Sequence, residues 1–284
     1  MQTQTTPPGK VWLITGTSSG FGRSIAEEVL ARGDRVVATA RDPRALDELV
    51  ALAPDRVHAA RLDVTRPAEV TRVVAEAAAR FGAVDVLVNN AGFSIIGAVE
   101  ETGEAELRAT LETMFFGAVA MTRAVLPAMR ERRAGTIVQI TSVGGLMTSP
   151  GFGAYCAAKH ALEALSESLA AEVAPFGVRV LIVEPGAFRT SLFGGAFRSM
   201  PALDAYAATV GPTRAYVTSM AGKQPGDPAK AARAIVDAVA AGAPALRLPL
   251  GADAVTAIRG KLAQVTADVD RGEPIAIATA FDRS

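Results

Sequence analysis

The sequence predicts a single doubly wound α/β domain, a parallel sheet of about seven strands with helices on both faces. Three observations predict it. Short apolar runs alternate with longer segments of helical periodicity. The runs are apolar at successive rather than alternate positions, as in strands buried on both faces. A chain of 284 residues, 50% hydrophobic, can also bury one large core.

Residues 1–9 carry Thr and Pro and read as a flexible tail, without the apolar stretch of a secretion signal. Val11-Trp-Leu-Ile-Thr15 is the first strand, and a helix is expected over 20–33. A strand at 35–40, a helix at 43–52, a strand at 56–62 and a helix at 67–81 follow. The fourth strand covers 84–88, and one long helix is expected over 103–132. Strand five spans 136–141, a helix 153–175, and strand six 178–183. The rhythm then breaks. Residues 186–226 are rich in Gly, Pro and Phe and are too long for a plain connection, so they read either as a functional lid or as a disordered insertion. A helix at 228–241, an edge strand at 246–250 and a helix at 252–271 end the chain; Pro249 confines that strand to an edge. No boundary divides 10–284. The expected strand order is 3-2-1-4-5-6-7, with ligands at the carboxyl ends of the strands.

Composition removes several function classes. Lys plus Arg and Asp plus Glu both number 29, so no basic surface marks a nucleic-acid or anionic-membrane partner. No apolar run approaches the roughly 20 residues of a membrane span. Cys156 is the single cysteine, which rules out an internal disulfide and suits a reducing cytoplasm.

Strand one ends in Thr15-Gly16-Thr17-Ser18-Ser19-Gly20-Phe21-Gly22 and runs into a helix. Gly16 permits a tight turn, Gly20 lets backbone approach a pyrophosphate, and Gly22 lets helix and strand pack closely. The helix N-terminus adds free N–H groups and a positive dipole end. A glycine trio between a strand and a helix is the dinucleotide-binding context of a Rossmann-type fold, so Ser18, Ser19 and Phe21 join the candidates. At the end of strand two stands Arg41 rather than an acidic residue. Its guanidinium either pairs with a 2′-phosphate, aided by Ser19, or is a solvated loop residue; the first reading favours NADP(H) over NAD(H).

Tyr155-Cys-Ala-Ala-Lys159 opens a helix and puts phenol and ammonium on one face. An ammonium nearby favours the phenolate, lowering a pKa that is ordinarily about 10. A tyrosine so tuned can exchange a proton with a carbonyl or alcohol oxygen. Ser142, at the end of strand five, can hold that oxygen. Cys156 and His160 share a face too, and read either as half a metal site or as ordinary packing; no second Cys–His pair completes a site, so no metal is expected.

Over about residues 10–190 these features resemble the short-chain dehydrogenase/reductase family, and less specifically its NADP-preferring branch of 17β-hydroxysteroid and retinol dehydrogenases. The resemblance implies that Asp63 and the backbone of Val64 contact adenine. It implies that Asn89-Asn90-Ala91-Gly92 lines the cofactor and stabilises the sheet, with Asn89, Ala91 and Gly92 as cofactor residues. Ser142, Tyr155 and Lys159 match the catalytic residues, Lys159 also binding the nicotinamide ribose. Pro185, Gly186, Phe188 and Thr190 match the segment after strand six, where the Thr hydroxyl holds the carboxamide. One position departs: Met114 stands where the family carries a catalytic Asn that holds a water linking Lys to solvent. Either the proton relay is rerouted, or turnover is impaired, or the position admits a substrate; an engineered variant is a further explanation.

Phe93, Ser94, Ile95, Met114, Gly144, Phe152, Phe188, Leu192 and Phe193 are the candidate pocket residues. They are mostly apolar, with Arg189 and Arg198 able to meet an anionic group. The expected activity is that of a carbonyl reductase or alcohol dehydrogenase, moving a hydride between NADP(H) and a hydrophobic ketone, aldehyde or secondary alcohol. The alternative is a catalytically impaired NADP-binding sensor or scaffold, motivated by Met114. The resemblance also implies a homodimer or homotetramer.

Overall fold

A computed structural model of the chain describes residues 9–193 and 197–281. Of the tail expected at 1–9, only Gly9 lies within the described residues. In chain order the elements are β1 (Val11–Ile14), α1 (Gly20–Ala31), β2 (Arg35–Ala40), α2 (Asp47–Leu52), β3 (Val57–Arg61), α3 (Pro67–Phe81), β4 (Val86–Asn89), β5 (Ser94–Ile96), α4 (Glu104–Leu111), α5 (Gly117–Arg132), β6 (Gly135–Ile140), α6 (Gly153–Val173), β7 (Val178–Pro185), β8 (Phe197–Ser199), α7 (Gly211–Met220), α8 (Pro228–Ala240), β9 (Arg247–Leu250) and α9 (Ala252–Ile277).

Seven strands form one parallel sheet in the order β3-β2-β1-β4-β6-β7-β9. Counted as the seven strands read from sequence, this is the expected 3-2-1-4-5-6-7. Alternation along β1 shows why its run is apolar throughout. Trp12 and Ile14 join one core with Ile25 and Val29 of α1 and Ile235 of α8. Val11 and Leu13 join the other with Val73 of α3, Met121 of α5 and Leu169 of α6. Asp227 caps α8, accepting from the N–H groups of Ala229 (2.8 Å) and Lys230 (3.3 Å), with Pro228 preset for the first turn. Strand order reverses beside β1, which opens a crevice at the carboxyl ends of β1 and β4.

Three departures from the sequence reading matter for the site. The helix expected over 103–132 is divided: a π-helical turn, Glu112–Phe116, separates α4 from α5. The stretch 186–226 contains β8, α7 and two short 3₁₀ turns, and β8 pairs in parallel with β5 as a second, two-stranded sheet. Helix α9 runs to Ile277 rather than 271. Among the described residues one stretch, Glu104–Arg132, has the length and mean hydropathy (1.2) of a membrane-crossing helix. Its α5 half packs on α3, β4 and β6, with Met121, Val125 and Met129 in the core.

Candidate active site

A cleft of about 890 Å³ runs along the carboxyl ends of the central strands. That is within the range of small-molecule and cofactor sites. One end is the turn between β1 and α1. Gly16 takes a φ of +69°, and a Cβ on Gly22 would lie 2.2 Å from the Gly16 carbonyl oxygen, so helix and turn touch backbone to backbone. The turn is pinned from β4: Asn90 Nδ2 donates to the carbonyls of Thr15 (2.9 Å) and Gly16 (3.0 Å). The Thr15 hydroxyl accepts from the N–H groups of Asn90 and Ala91, both at 2.9 Å. Helix α1 has no side-chain cap and no acidic residue in its first turn, so its positive end meets the cleft unneutralised. This cradle fits a diphosphate.

Gly16, Ser18, Ser19, Gly20, Phe21, Arg41, Asp63, Val64, Ala91 and Gly92 line the cleft, as do Pro185, Gly186, Phe188 and Thr190. Exposed Arg41 forms no ion pair among the described residues, whereas Asp42 turns to Arg44, its Oδ2 2.8 Å from Nη2. Burial pushes the Asp63 carboxyl up. Hydrogen bonds from the Thr65 hydroxyl and N–H, and the charges of Arg66 and Arg41, outweigh it and hold the group below its ordinary value. The segment after β7 folds back over the turn: the Phe188 and Phe21 rings are 5.1 Å apart, and the Ser191 and Ser19 hydroxyls are 2.8 Å apart.

Two of the expected cofactor residues, Gly22 and Asn89, do not line the cleft. Gly22 packs behind the turn. Asn89 turns from the cleft into the α5 layer, its Nδ2 donating to Gln139 Oε1 (2.9 Å) and Thr122 Oγ1 (3.1 Å). Asn90 takes the cleft wall in its place.

Ser142, Tyr155 and Lys159 line the same cleft. Ser142 leads a 3₁₀ turn, where its hydroxyl accepts from the Gly144 N–H at 3.0 Å. The same hydroxyl donates to the Pro185 carbonyl at 3.5 Å. Tyr155 and Lys159 are 8% and 6% exposed. The Lys159 amine donates to the Ile140 carbonyl at 2.8 Å and stands 5.8 Å from the Tyr155 ring centre. The sequence led us to expect an ammonium that lowers the phenol's pKa, and here desolvation is stronger. Burial pushes Tyr155 up to about 12 against the opposing Ser142 hydrogen bond, and burial pushes Lys159 down to about 8, opposed by Glu163.

Met114 lies in the π turn, 2% exposed, packed with Ile95 and Tyr155. A Cβ on Gly92 would meet its sulfur at 3.1 Å. Phe93, Met114 and Leu192 line the cleft; Ser94, Ile95, Gly144 and Phe152 stand behind that lining. Phe193 ends a 3₁₀ turn at Ser191–Phe193, and its side chain lies outside the described residues. Arg198 stacks over the Phe93 ring at 4.1 Å, while Arg189 donates to the Gln224 carbonyl at 3.3 Å. His160 Nδ1 is within hydrogen-bond distance of the Gly144 (3.0 Å) and Cys156 (2.9 Å) carbonyls. The sequence reading missed Ser191, Thr113 and Glu112 at the cleft. Nothing local marks Ser191, and the other two were hidden by treating 103–132 as one regular helix.

The sequence profile described as short chain dehydrogenase matches residues 10–200. Oxidoreductase BOA17 of Botryotinia fuckeliana is 37% identical over 273 residues, 95% of this chain and 99% of that protein. A crystal structure of a short-chain dehydrogenase from Streptomyces avermitilis superposes with a TM-score of 0.90 at 54% identity, over 96% of this chain and 100% of that one. A Burkholderia phymatum short chain dehydrogenase/reductase in complex with NAD gives 0.79 at 26% identity, over 88% and 92% of the two chains. A Burkholderia cenocepacia short chain dehydrogenase in complex with NADP gives 0.72 at 28%, over 93% and 97%. Profile, full-length relative and superposed fold agree that the chain belongs to the short-chain dehydrogenase/reductase family of oxidoreductases.

Proposed function

We propose that the chain transfers a hydride between NADP(H) and a hydrophobic ketone, aldehyde or secondary alcohol. The observation that carries this reading is one cleft with a phosphate cradle at one end and Ser142, Tyr155 and Lys159 in its lining. Bound NADP(H) supplies or accepts the hydride. The turn and the α1 N-terminus take the pyrophosphate, Asp63 and the Val64 N–H take adenine, and the Thr190 hydroxyl takes the carboxamide. Arg41, with Ser19, binds the 2′-phosphate and sets the preference over NAD(H).

Ser142 holds the substrate oxygen. Tyr155, kept protonated at neutral pH by burial, gives its proton to that oxygen in reduction and takes one in oxidation. The Lys159 ammonium stabilises the phenolate this leaves. Phe93, Met114 and Leu192 offer an apolar wall, and the stretch 186–226 acts as a lid that excludes water. We place the enzyme in the cytoplasm as a homodimer or homotetramer joined through the outer faces of α5 and α6; a monomeric mass by light scattering would contradict the assembly.

A panel of aryl ketones, aldehydes and steroids with NADPH tests the reaction. Substrate-dependent NADPH consumption is expected; intact NADPH binding with no consumption on any substrate would overturn it. That second outcome is what a sensor or scaffold predicts, a reading favoured by the Met114 thioether, a weak acceptor and no donor, beside the catalytic pair.

A further inference from the structure

Helix α6 carries a third buried titratable group on the face of Tyr155 and Lys159. Glu163 follows Lys159 by four residues, is 2% exposed, and lies against the turn that Ser142 opens, its Cγ 2.7 Å from where a Cβ on Gly145 would be. Its Oε1 has no hydrogen-bond partner. We propose that Glu163 is a positioning residue that keeps Lys159 in its ammonium form, and through Lys159 sets the ionisation of Tyr155. This rests on reading Lys159 as the amine that stabilises the Tyr155 phenolate.

The surrounding charges bear on the ionisation of Glu163. From its own helix it faces Lys159 and the rim carboxylate Glu167; from β9, Arg247; from β7, Glu184; from the end of β6, the Thr141 hydroxyl. His160 is committed to the Gly144 and Cys156 carbonyls, and Asp253 of α9 accepts from the Ala187 N–H. Arg247 Nη2 is 3.4 Å from Glu163 and also bonds Glu167, while Arg247 Nε is 3.0 Å from Glu184. Three carboxyls thus share one guanidinium, and the cluster is relieved when one carboxyl holds a proton. Glu184, which faces only the guanidinium, takes it: burial and the charge of Glu163 push Glu184 up to about 7. Glu163 pairs with Arg247 and stands one helical turn from Lys159, to which it makes no ion pair. Burial raises it as well, with Thr141 and Arg247 opposing. Lys159 is fully desolvated, and a carboxylate one turn away is what counters its loss of the proton.

Lysine labelled with ¹³C at Cε reports this directly in the full chain. There are five lysines, and Lys159→Met identifies the signal by its loss. In Glu163→Gln the Lys159 midpoint should fall by about one pH unit or more. Glu163→Asp should move it the same way by less, and still reports if the Gln variant does not fold. The acid limb of the kcat/KM profile for alcohol oxidation should shift up in both, because a neutral Lys159 no longer favours the phenolate. A folded Glu163→Gln or Glu163→Asp protein with an unmoved Lys159 midpoint would overturn the proposal, leaving Glu163 a mere tether for Arg247. If the wild type reduces no carbonyl, the proposed reaction fails, while the lysine titration still decides whether Glu163 holds the charge of Lys159.

Discussion

Burial denies the Tyr155 phenolate its hydration, and Ser142 offsets only part of that cost. With the phenol at about 12 and the amine at about 8, the neutral-pH state is a protonated tyrosine beside a charged lysine. That state suits carbonyl reduction. As pH rises through about 8 Lys159 loses its proton, the phenolate loses its stabilising charge, and kcat for reduction should fall; a rate still climbing above that pH would contradict the pairing. Tyr155→Phe should lower kcat by about 10²–10⁴-fold with NADPH affinity unchanged. Arg41→Ala should weaken NADPH binding about tenfold or more and leave NADH nearly unaffected, because only the former carries the 2′-phosphate; equal losses would return Arg41 to a solvated loop residue. Residues readable from motif and spacing — Tyr155, Lys159, Ser142 and the glycine turn — do share one cleft. Asn89 was read as a motif residue at the cofactor, although alternation along β4 puts it on the face of Leu87, toward the helices. Glu163 went unread in the sequence despite its spacing of four from Lys159, and only a folded chain shows that Arg247 and Glu184 join it.

At the scale of elements, the joints rather than the strands carry the site. In Gly22→Ala the new methyl group meets backbone, which cannot move aside as a side chain can, so α1 must shift from the turn. NADPH binding should be lost well before the fold is, as a titration alongside a thermal melt would show. The π turn between α4 and α5 escaped the sequence reading because one extra residue per turn barely disturbs an amphipathic pattern. It puts Met114 against Gly92, Ile95 and Tyr155. Met114→Asn should raise kcat if the thioether impairs proton release; an unchanged or lower kcat would show that the site already works around it. Strands β5 and β8, three residues each, are too short for any period to register, and their pairing ties Phe197–Ser199 to Ser94–Ile96 after β4.

The sheet has a core on each face; its short runs, apolar at successive positions, made the strands legible, and their alternation with helices implied the order. Leu13, fully buried among α3, α5 and α6 residues, should cost about 2–5 kcal/mol on truncation to Ala, read as a lower melting temperature. Buried charge ties stability to pH. Glu184 holds its proton to about pH 7 when folded and releases it near the ordinary carboxylate value when unfolded, so it favours the folded state at acid pH, and that contribution is lost as pH rises to 7. Glu184→Gln should flatten that part of the stability profile; an identical slope would remove Glu184 as its source. The proposed chemistry is tested most directly by single-turnover transfer from NADPH deuterated at the nicotinamide C4. Deuterium should appear on the carbinol carbon of the product with the wild type and at least a hundredfold more slowly with Tyr155→Phe. Tight NADPH binding without label in any product, or transfer by Tyr155→Phe at the wild-type rate, would contradict it.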